Sequence, residues 1–310
     1  MKAHVYRIRR FIQLAIVVAA AGTGLALAMG WSLTSVEKYC PMGGLATAWS
    51  VFTQAKFSCA TGEYNLTLIA ALLLLAFLAR KSFCAWICPV GTLSEGLAWL
   101  GARLSGRKSG WGVRPVSARA DGRVRLLRWL VLAAVVGVTI HTAELEFRPY
   151  CPYYVLFSFH GHDVALWSYP LLAGLLALVV VVPMAWCRYL CPLGCALGPF
   201  SRVGLLRLKR QEQACTDCGR CDQACPQGLA IAQVEQVTSA ECTLCLECVQ
   251  ACPAQGALQL KSVGLGKRMM SAWSVPGLVA SLAVIGLVGG SLVSFPSFEQ
   301  AYGQPPEGRE

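Results

Sequence analysis

The sequence CTDCGRCDQACP at residues 215–226 is the most informative part of this chain, and its pattern recurs as CTLCLECVQACP at residues 242–253. Both copies have the spacing C-x2-C-x2-C-x3-C-P, which is the bacterial pattern for a pair of [4Fe–4S] clusters. The two x2 steps let a tight loop present three thiolates to one cubane. The fourth cysteine follows one helical turn later and points to the neighbouring cubane. The pattern therefore predicts a protein that carries electrons.

The spacing also assigns each cysteine of the two copies to a cluster. The two predicted ligand sets are Cys215, Cys218, Cys221 and Cys252 for one cluster, and Cys242, Cys245, Cys248 and Cys225 for the other. A pair of zinc ribbons is the alternative interpretation, because C-x2-C also occurs in zinc sites. Zinc needs only four thiolates per site, and its chemistry has no use for the third cysteine step or the trailing proline. Two [4Fe–4S] clusters are therefore favoured.

The composition predicts a membrane protein. Of the 310 residues, 55% are apolar and only 14% are charged, with a mean hydropathy of +0.53. The net charge of +11 does not indicate nucleic-acid binding, because the basic residues border the apolar segments. Such a distribution is typical of the positive-inside bias of membrane proteins. Lipid is therefore an expected partner, and nucleic acid is not.

Five apolar runs approach the roughly 20 residues that a helix needs to cross a hydrocarbon core. The predicted spans are 11–31, 66–79, 127–141, 166–185 and 273–293. The first span also resembles a secretory signal peptide, because Arg7, Arg9 and Arg10 precede it. It is longer than a typical signal-peptide core and ends without a small-x-small cleavage site. A retained anchor helix is therefore favoured.

Charge predicts the orientation of these spans in a bacterial inner membrane. Lys and Arg are concentrated in the N-terminal segment, in the connector between the second and third spans, and on both sides of the cysteine-rich insert. The opposite loops carry few basic residues. The positive-inside rule then puts the N-terminus and the cluster domain in the cytoplasm and the C-terminus in the periplasm. A reducing cytoplasm also suits iron–sulfur clusters.

The predicted fold is mostly α: a polytopic membrane protein of about five transmembrane helices in two repeated hairpins. A small α+β ferredoxin domain of the bacterial 2[4Fe–4S] type is inserted into it. The predicted domains are 1–207 for four membrane helices, with repeats at about 11–103 and 127–207, then 208–263 for the ferredoxin domain, and 264–310 for a fifth helix and a periplasmic tail.

The internal repeat is visible in the remaining cysteines. YCP at residues 39–41 and CAWICPVG at 84–91 correspond to YCP at 150–152 and CRYLCPLG at 187–194. Two thiols four residues apart lie on one face of a helix, and the proline that follows breaks or kinks that helix. Convergence of the two halves would give four thiolates, a usual set for an iron–sulfur centre or a soft metal. The candidate redox or metal ligands are Cys84, Cys88, Cys187 and Cys191.

Other cysteines allow more than one interpretation. The predicted topology places Cys40, Cys59 and Cys151 on the oxidising side. A disulfide between Cys40 and Cys151 would link the two halves, and an electron relay near the outer surface is the alternative. Cys195 has no counterpart in the repeat, and no role is assigned to it.

The two C-x3-C-P motifs, the membrane hairpins and the double cubane pattern together resemble the NapH/NosR group of membrane iron–sulfur proteins. The resemblance covers roughly residues 1–262 and is closest to NapH-type quinol dehydrogenase components. The chain differs from the four-span NapH pattern by its fifth span, and it lacks the large N-terminal periplasmic domain of NosR-type members.

The resemblance implies a membrane electron-transfer subunit that links the quinol pool to a redox partner of a periplasmic respiratory enzyme. Quinol is then the expected substrate, and other redox subunits, either iron–sulfur proteins or cytochromes, are the expected partners in a hetero-oligomer. A redox maturation or assembly factor for a periplasmic metalloenzyme is the alternative. The outward-facing cysteines suit that second function. A respiratory subunit should oxidise quinol in steady turnover, whereas a maturation factor should be dispensable once its client is assembled.

Overall fold

The computed structural model of the chain describes residues 2–29, 42–44, 62–106, 118–142, 147–158, 164–262, 269–270 and 273–292. Most of this part is helical, which confirms the predicted mostly α class. In chain order, helices α1 to α13 are Lys2–Ala28, Gly62–Ala79, Ser82–Trp86, Pro89–Leu104, Ala118–Val124, Leu127–Thr142, Pro152–Phe157, Ser168–Val181, Pro192–Ala196, Gly198–Val203, Arg220–Gln223, Glu247–Ala251 and Ser274–Leu292. A π-helical turn, Trp186–Leu190, lies between α8 and α9.

A small antiparallel sheet closes the cysteine-rich segment. Its strands are β1 at Leu206–Arg210, β2 at Leu258–Ser262 and β3 at Met269–Met270. β1 pairs with β2 from Leu206 opposite Ser262 to Arg210 opposite Leu258, and β2 pairs in turn with β3. The sheet therefore brings together the two ends of the segment that carries both cysteine copies.

Two of the five predicted spans are long, apolar helices. The helical segments His4–Ala28 and Ala120–His141 have the length and composition needed to cross a membrane. The described apolar helices at Asn65–Ala79, Ser168–Val181 and Ser274–Val284 are shorter. A bilayer core requires roughly 20 residues of helix. Five transmembrane helices thus stay a prediction, and two are supported.

The helices expose apolar side chains on their outer faces. Phe11 of α1 is 73% exposed, Leu130 of α6 is 67% exposed, and Leu171 of α8 is 62% exposed. Soluble monomers rarely present extended apolar surface of this kind to water. These faces are suited to contact with lipid, in agreement with the composition.

Close helix contacts hold the two halves together. Helix α13 packs along α2, and α4 packs along α8. At the α4–α8 crossing, a Cβ added to Gly101 would lie 2.1 Å from the carbonyl oxygen of Val180. Only glycine permits this approach of the two backbones. The crossing joins one hairpin to the other.

The cysteine-rich segment shares a hydrophobic core with the ends of the long helices. Buried Leu208 and Leu260 of the sheet belong to one cluster with Leu75 of α2, Trp86 of α3 and Val275 of α13. Trp86 is fully buried there. The segment is therefore packed against the helices as part of a continuous core, which positions the cysteines described next.

Candidate iron–sulfur sites

The two cysteine copies form loops with the same backbone conformation. In the first copy, φ is +49° at Asp217 and +67° at Gly219, and in the second it is +46° at Leu244 and +62° at Leu246. Left-handed backbone is unfavourable for residues other than glycine and persists where surrounding contacts hold it in place. The matched values show that the two loops are structural equivalents, as the repeated spacing predicts.

The predicted ligand sets differ in their exposure to solvent. We call Cys215, Cys218, Cys221 and Cys252 the outer set, and Cys242, Cys245, Cys248 and Cys225 the inner set. Cys218 is exposed and the rest of the outer set is half-buried, whereas Cys225, Cys242 and Cys248 are buried. Burial of the surroundings is one of the factors that set a cluster's reduction potential. Cys225, Cys242 and Cys248 of the inner set belong to the same hydrophobic cluster as Leu75 and Trp86 of the helices.

Cys225 lies near the second cysteine copy, although it belongs to the first in sequence. Burial raises the pKa of the Cys248 thiol well above its usual value, and the charges of Cys245, Cys225, Cys242 and Cys221 raise it further. The same Cys225 also acts on Cys245. Helices α11 and α12, which follow the two loops, pack against each other. The two cysteine copies therefore lie close together, as an exchange of the fourth cysteine between the two sets requires.

The C-x3-C-P motifs adopt matching conformations in the two halves. Cys88 has φ and ψ of −63° and 117°, and Cys191 has −68° and 111°. Each is the extended residue before a helix that begins at a proline, Pro89 or Pro192, where a missing N–H costs nothing. The two thiols of a motif therefore do not share one continuous helix, because the proline ends the first helical segment before the second cysteine.

A close backbone contact makes the glycine of the first motif necessary. A Cβ on Gly91 would lie 2.2 Å from the carbonyl oxygen of Cys84. In the second motif the backbone N–H of Gly194 donates to Cys191 Sγ at 3.3 Å. An N–H that points at sulfur stabilises a thiolate, because it places partial positive charge beside the anion. The close contact at Gly91 and the hydrogen bond from Gly194 account for the glycine at the end of each repeated sequence.

The four cysteines of these motifs line a single cavity. We call Cys84, Cys88, Cys187 and Cys191 the hairpin cysteines. Each half contributes two of them to the cavity wall, together with Lys81, Gln227, Glu241 and Thr243. The geometry thus brings together the four thiols that the repeat predicted.

Burial keeps the hairpin cysteines in the neutral form when nothing is bound to them. It raises the pKa of Cys88 to about 11 and that of Cys84 still higher, and the neighbouring thiols add to the effect at Cys84. At neutral pH, four thiolates in this cavity would require a compensating positive charge. A metal or an iron–sulfur centre supplies such charge, and its binding would release protons.

The donor set at the cavity is four cysteine thiols, two from each half. Four convergent thiolates are a usual ligand set for an iron–sulfur cluster or for a soft metal ion, so the residues present fit either group.

The cavity of the hairpin cysteines adjoins the inner set. Thr243 and Glu241, which flank Cys242, lie in its wall. The indole Nε1 of Trp86, between Cys84 and Cys88, donates to the carbonyl of Leu244 at 3.2 Å. The hairpin cysteines and the inner set are therefore neighbours, and no pattern in the sequence predicts this.

Basic residues at the helix ends contact the cysteine-rich segment. Arg80 donates from Nη1 to the carbonyl of Val237 at 2.5 Å. Glu241 forms ion pairs with Lys81 at 3.3 Å and with Arg128 at 2.5 Å. Burial would raise the pKa of the Glu241 carboxyl, but Arg128 and Lys81 outweigh it and hold this pKa below its usual value. Sequence reasoning assigned these basic residues to membrane topology alone and missed their role in docking.

The remaining cysteines lie outside the cavity or outside the described residues. Cys195 is buried beside the second motif and is absent from the cavity wall. Cys151 precedes helix α7. Cys40 and Cys59 fall outside the described residues, so the disulfide between Cys40 and Cys151 and the outer relay both stay predictions.

Two family models match the chain. The model of a 4Fe-4S binding domain matches twice, at residues 62–108 and 164–211, and each match contains one C-x3-C-P motif. The model of a 4Fe-4S dicluster domain matches residues 207–253, which hold both C-x2-C copies. The double match supports the internal repeat, and the two models together identify an iron–sulfur protein.

Proteins of similar sequence include an electron transport protein, several ferredoxin-type proteins and two uncharacterized proteins of Methanocaldococcus jannaschii. YccM of Escherichia coli is 31% identical over 66% of this chain and 58% of its own length. The ferredoxin-type protein NapH of Haemophilus influenzae is 27% identical over 54% of the chain and 55% of its own. The methylamine utilization ferredoxin-type protein MauN of Paracoccus denitrificans is 29% identical over 53% and 56%. The chain thus spans a little over half the length of these relatives. No solved structure matches it.

Proposed function

Because the chain belongs to the NapH-like family of membrane iron–sulfur proteins, we propose that it passes electrons between the quinol pool and a redox partner of a periplasmic respiratory enzyme. Its iron–sulfur electron-transfer role follows from its family matches. Quinol as the substrate and a periplasmic system as the destination are the finer parts of the proposal. They rest on the resemblance to NapH-type components and on the apolar helices.

We assign two [4Fe–4S] clusters to the ferredoxin domain, one to the outer set and one to the inner set. The matching left-handed residues of the two loops support two equivalent sites. The position of Cys225 beside Cys245 and Cys248 supports the exchange of the fourth ligand. When bound, the clusters would supply one-electron redox sites, and the thiols of these loops would hold them.

We further assign an additional iron–sulfur centre to the hairpin cysteines. The observation that carries the proposal is the common cavity: four thiols, two from each half, meet where Thr243 and Glu241 of the inner loop complete the wall. The order of sites across the protein is then outer set, inner set, hairpin cysteines. Electrons can follow this order in either direction, since the geometry does not favour one.

The order of sites also suggests where redox partners dock. Cys218 of the outer set is exposed to solvent, so a partner on the ferredoxin side would approach there. The hairpin cysteines lie where α3 and the π-helical turn meet the apolar helices, which is the side from which a quinol would approach. We place the ferredoxin domain in the cytoplasm of a bacterial cell and the chain in its inner membrane. The contacts of Arg80, Lys81 and Arg128 with this domain support the proposed orientation, because basic residues are concentrated on the cytoplasmic side of membrane proteins.

Quinol oxidation by the full chain tests the proposed function. The anaerobically purified protein in lipid nanodiscs would be oxidised and then mixed with decyl-ubiquinol, and bleaching of the iron–sulfur absorbance would be followed. We expect bleaching in the wild type and a loss of at least tenfold in rate for a Cys84→Ser/Cys187→Ser variant. A Cys195→Ser variant, which changes a buried thiol outside the cavity, should retain the rate. Absence of bleaching in the wild type, in protein that dithionite still reduces, would contradict quinol as the substrate.

A further inference from the structure

A buried arginine of the first helix joins the hairpin cysteines to the inner set. Arg9 is 1% exposed. Its Nε donates to the carbonyl of Ala85 at 3.0 Å, its Nη1 donates to Glu247 Oε1 at 2.5 Å, and its Nη2 donates to Glu95. One guanidinium thus contacts three separate parts of the chain.

Two of the three contacts of Arg9 fall inside cysteine motifs, one in the first hairpin motif and one in the second C-x2-C copy. Ala85 lies between Cys84 and Cys88, and Glu247 lies between Cys245 and Cys248. The guanidinium therefore lies at the junction of the hairpin cysteines with the inner set. The fork of five donors on an arginine suits such a three-way junction, which a lysine cannot reproduce.

The junction is closed by other polar groups that complete the hydrogen bonding. Gln13, one helical turn after Arg9, donates from Nε2 to the Ala85 carbonyl at 2.8 Å and to Glu95 Oε2 at 3.0 Å. Arg10 reaches Glu95 at 3.2 Å from a partly exposed position. Buried charge is costly unless it is paired and hydrogen-bonded. The buried charge of Arg9 beside a predicted cluster therefore indicates that this residue has a role beyond setting membrane topology.

We propose that Arg9 is a positioning residue of the electron path, which clamps the inner loop onto the hairpin motif and raises the reduction potential of the inner cluster. Reduction adds one electron, and so one negative charge, to a cluster. A nearby cation stabilises that reduced form, and net charge is among the factors that set such potentials. This inference rests on the proposed function, because it requires a cluster at the inner set.

Potentials of the full chain in detergent, measured by EPR-monitored redox titration at pH 8, test the proposal. We expect Arg9→Gln to retain its iron and to shift one of the two ferredoxin couples to a more negative potential. The other couple should stay at its wild-type value, because the outer set is farther from the junction. Glu247→Gln should shift the same couple in the opposite direction, and the double variant should return it close to the wild-type value.

A matched control lies on the same helix. Arg7 is two residues away on an exposed face, and Arg7→Gln removes the same charge. It should leave both couples unchanged. Arg9→Gln with full iron and both potentials unchanged would overturn the proposal, as would equal shifts of both couples in Arg9→Gln and Arg7→Gln.

Two further readouts keep the test decisive if Arg9→Gln loses its clusters. Arg9→Lys retains the charge and should keep the potential close to that of the wild type, and Glu247→Gln alone should raise it. An unchanged potential in Glu247→Gln would then overturn the proposal. If the wild type itself holds fewer than about eight irons, the proposed function fails, and this result is distinguishable from a failure of the role of Arg9.

Discussion

The indole Nε1 of Trp86 donates a hydrogen bond to the carbonyl oxygen of Leu244 at 3.2 Å. Trp86 lies between Cys84 and Cys88, and Leu244 lies between Cys242 and Cys245. One buried contact therefore connects the hairpin motif with the inner loop, across 158 residues of sequence. It fixes the relative position of the two thiol sites on which the proposed electron path depends.

Trp86→Phe should destabilise the protein by about 1–3 kcal/mol, because the Leu244 carbonyl would lose its donor in a buried site. Trp86→Ala should cost more, about 3–5 kcal/mol, since it also leaves a cavity in the core. Thermal or urea unfolding in detergent, followed by circular dichroism, would measure both. Trp167→Phe is the control, because Trp167 is largely exposed. Equal stability of Trp86→Phe and Trp167→Phe would contradict the importance of the contact.

Gly91→Ala should disrupt the first hairpin motif. The new Cβ would lie 2.2 Å from the Cys84 carbonyl oxygen, so the loop that carries Cys84 and Cys88 must move. We expect iron in excess of that bound by the ferredoxin domain to be lost, as measured by iron and acid-labile sulfide per chain.

Gly96 on the same helix provides the control for that substitution. A Cβ there has no neighbour within 4 Å, so Gly96→Ala should retain all iron and gain about 0.5–1 kcal/mol of helix stability. If both variants retained the same iron content, the close approach at Gly91 would have no bearing on the site.

In the metal-free protein at pH 7, Cys218 should react with iodoacetamide at least tenfold faster than Cys88. A hydrogen bond from the backbone of Arg220 and one from Thr216 lower the pKa of the exposed Cys218. Burial raises the pKa of Cys88 to about 11. Since the thiolate is the nucleophile, a lower pKa gives the faster reaction at this pH. Peptide mass spectrometry after timed quenching would measure the alkylation rate of each cysteine. Comparable rates for Cys218 and Cys88 would contradict the predicted difference between the outer set and the hairpin cysteines.

Glu241→Gln should destabilise the docking of the cysteine-rich segment by about 3–5 kcal/mol, because it leaves buried Lys81 and Arg128 without their carboxylate. Glu235→Gln removes an exposed ion pair with Lys209 and should have a much smaller effect, because water and salt screen such pairs. Limited proteolysis of the segment and unfolding in detergent would compare the two. A similar small effect of both variants would mean that the Glu241 cluster does not hold the segment in place.

The chemistry of the cysteines could be predicted from the sequence because spacing alone limits it. Cys215 to Pro226 and its copy required no knowledge of distant contacts, and the repeat was enough to pair Cys84 and Cys88 with Cys187 and Cys191. The five apolar runs also predicted helices, but a run such as 66–79 is short for a span. Length and hydropathy therefore support two spans, not five.

The neighbourhood of these sites could not be predicted, because it depends on tertiary packing. Arg80, Lys81 and Arg9 lie at the ends of apolar runs, as the basic residues that set membrane topology do. Their positions in the sequence are the same whether or not their side chains face water. Their burial is visible only in the tertiary contacts. Lys81 pairs with Glu241, Arg9 pairs with Glu247, and Arg80 donates to the carbonyl of Val237. The contact of Trp86 with Leu244 likewise joins segments whose separation in sequence carries no signal.

Iron and acid-labile sulfide per chain, measured on anaerobically purified wild type and on Cys84→Ser/Cys187→Ser, test the central claim most directly. We expect more than about eight irons in the wild type and a return to about eight in the variant, since two cubanes contain about eight. Cys195→Ser should match the wild type. About eight irons in both the wild type and the double variant would contradict an iron–sulfur centre at the hairpin cysteines, and with it the path from the ferredoxin domain to the membrane.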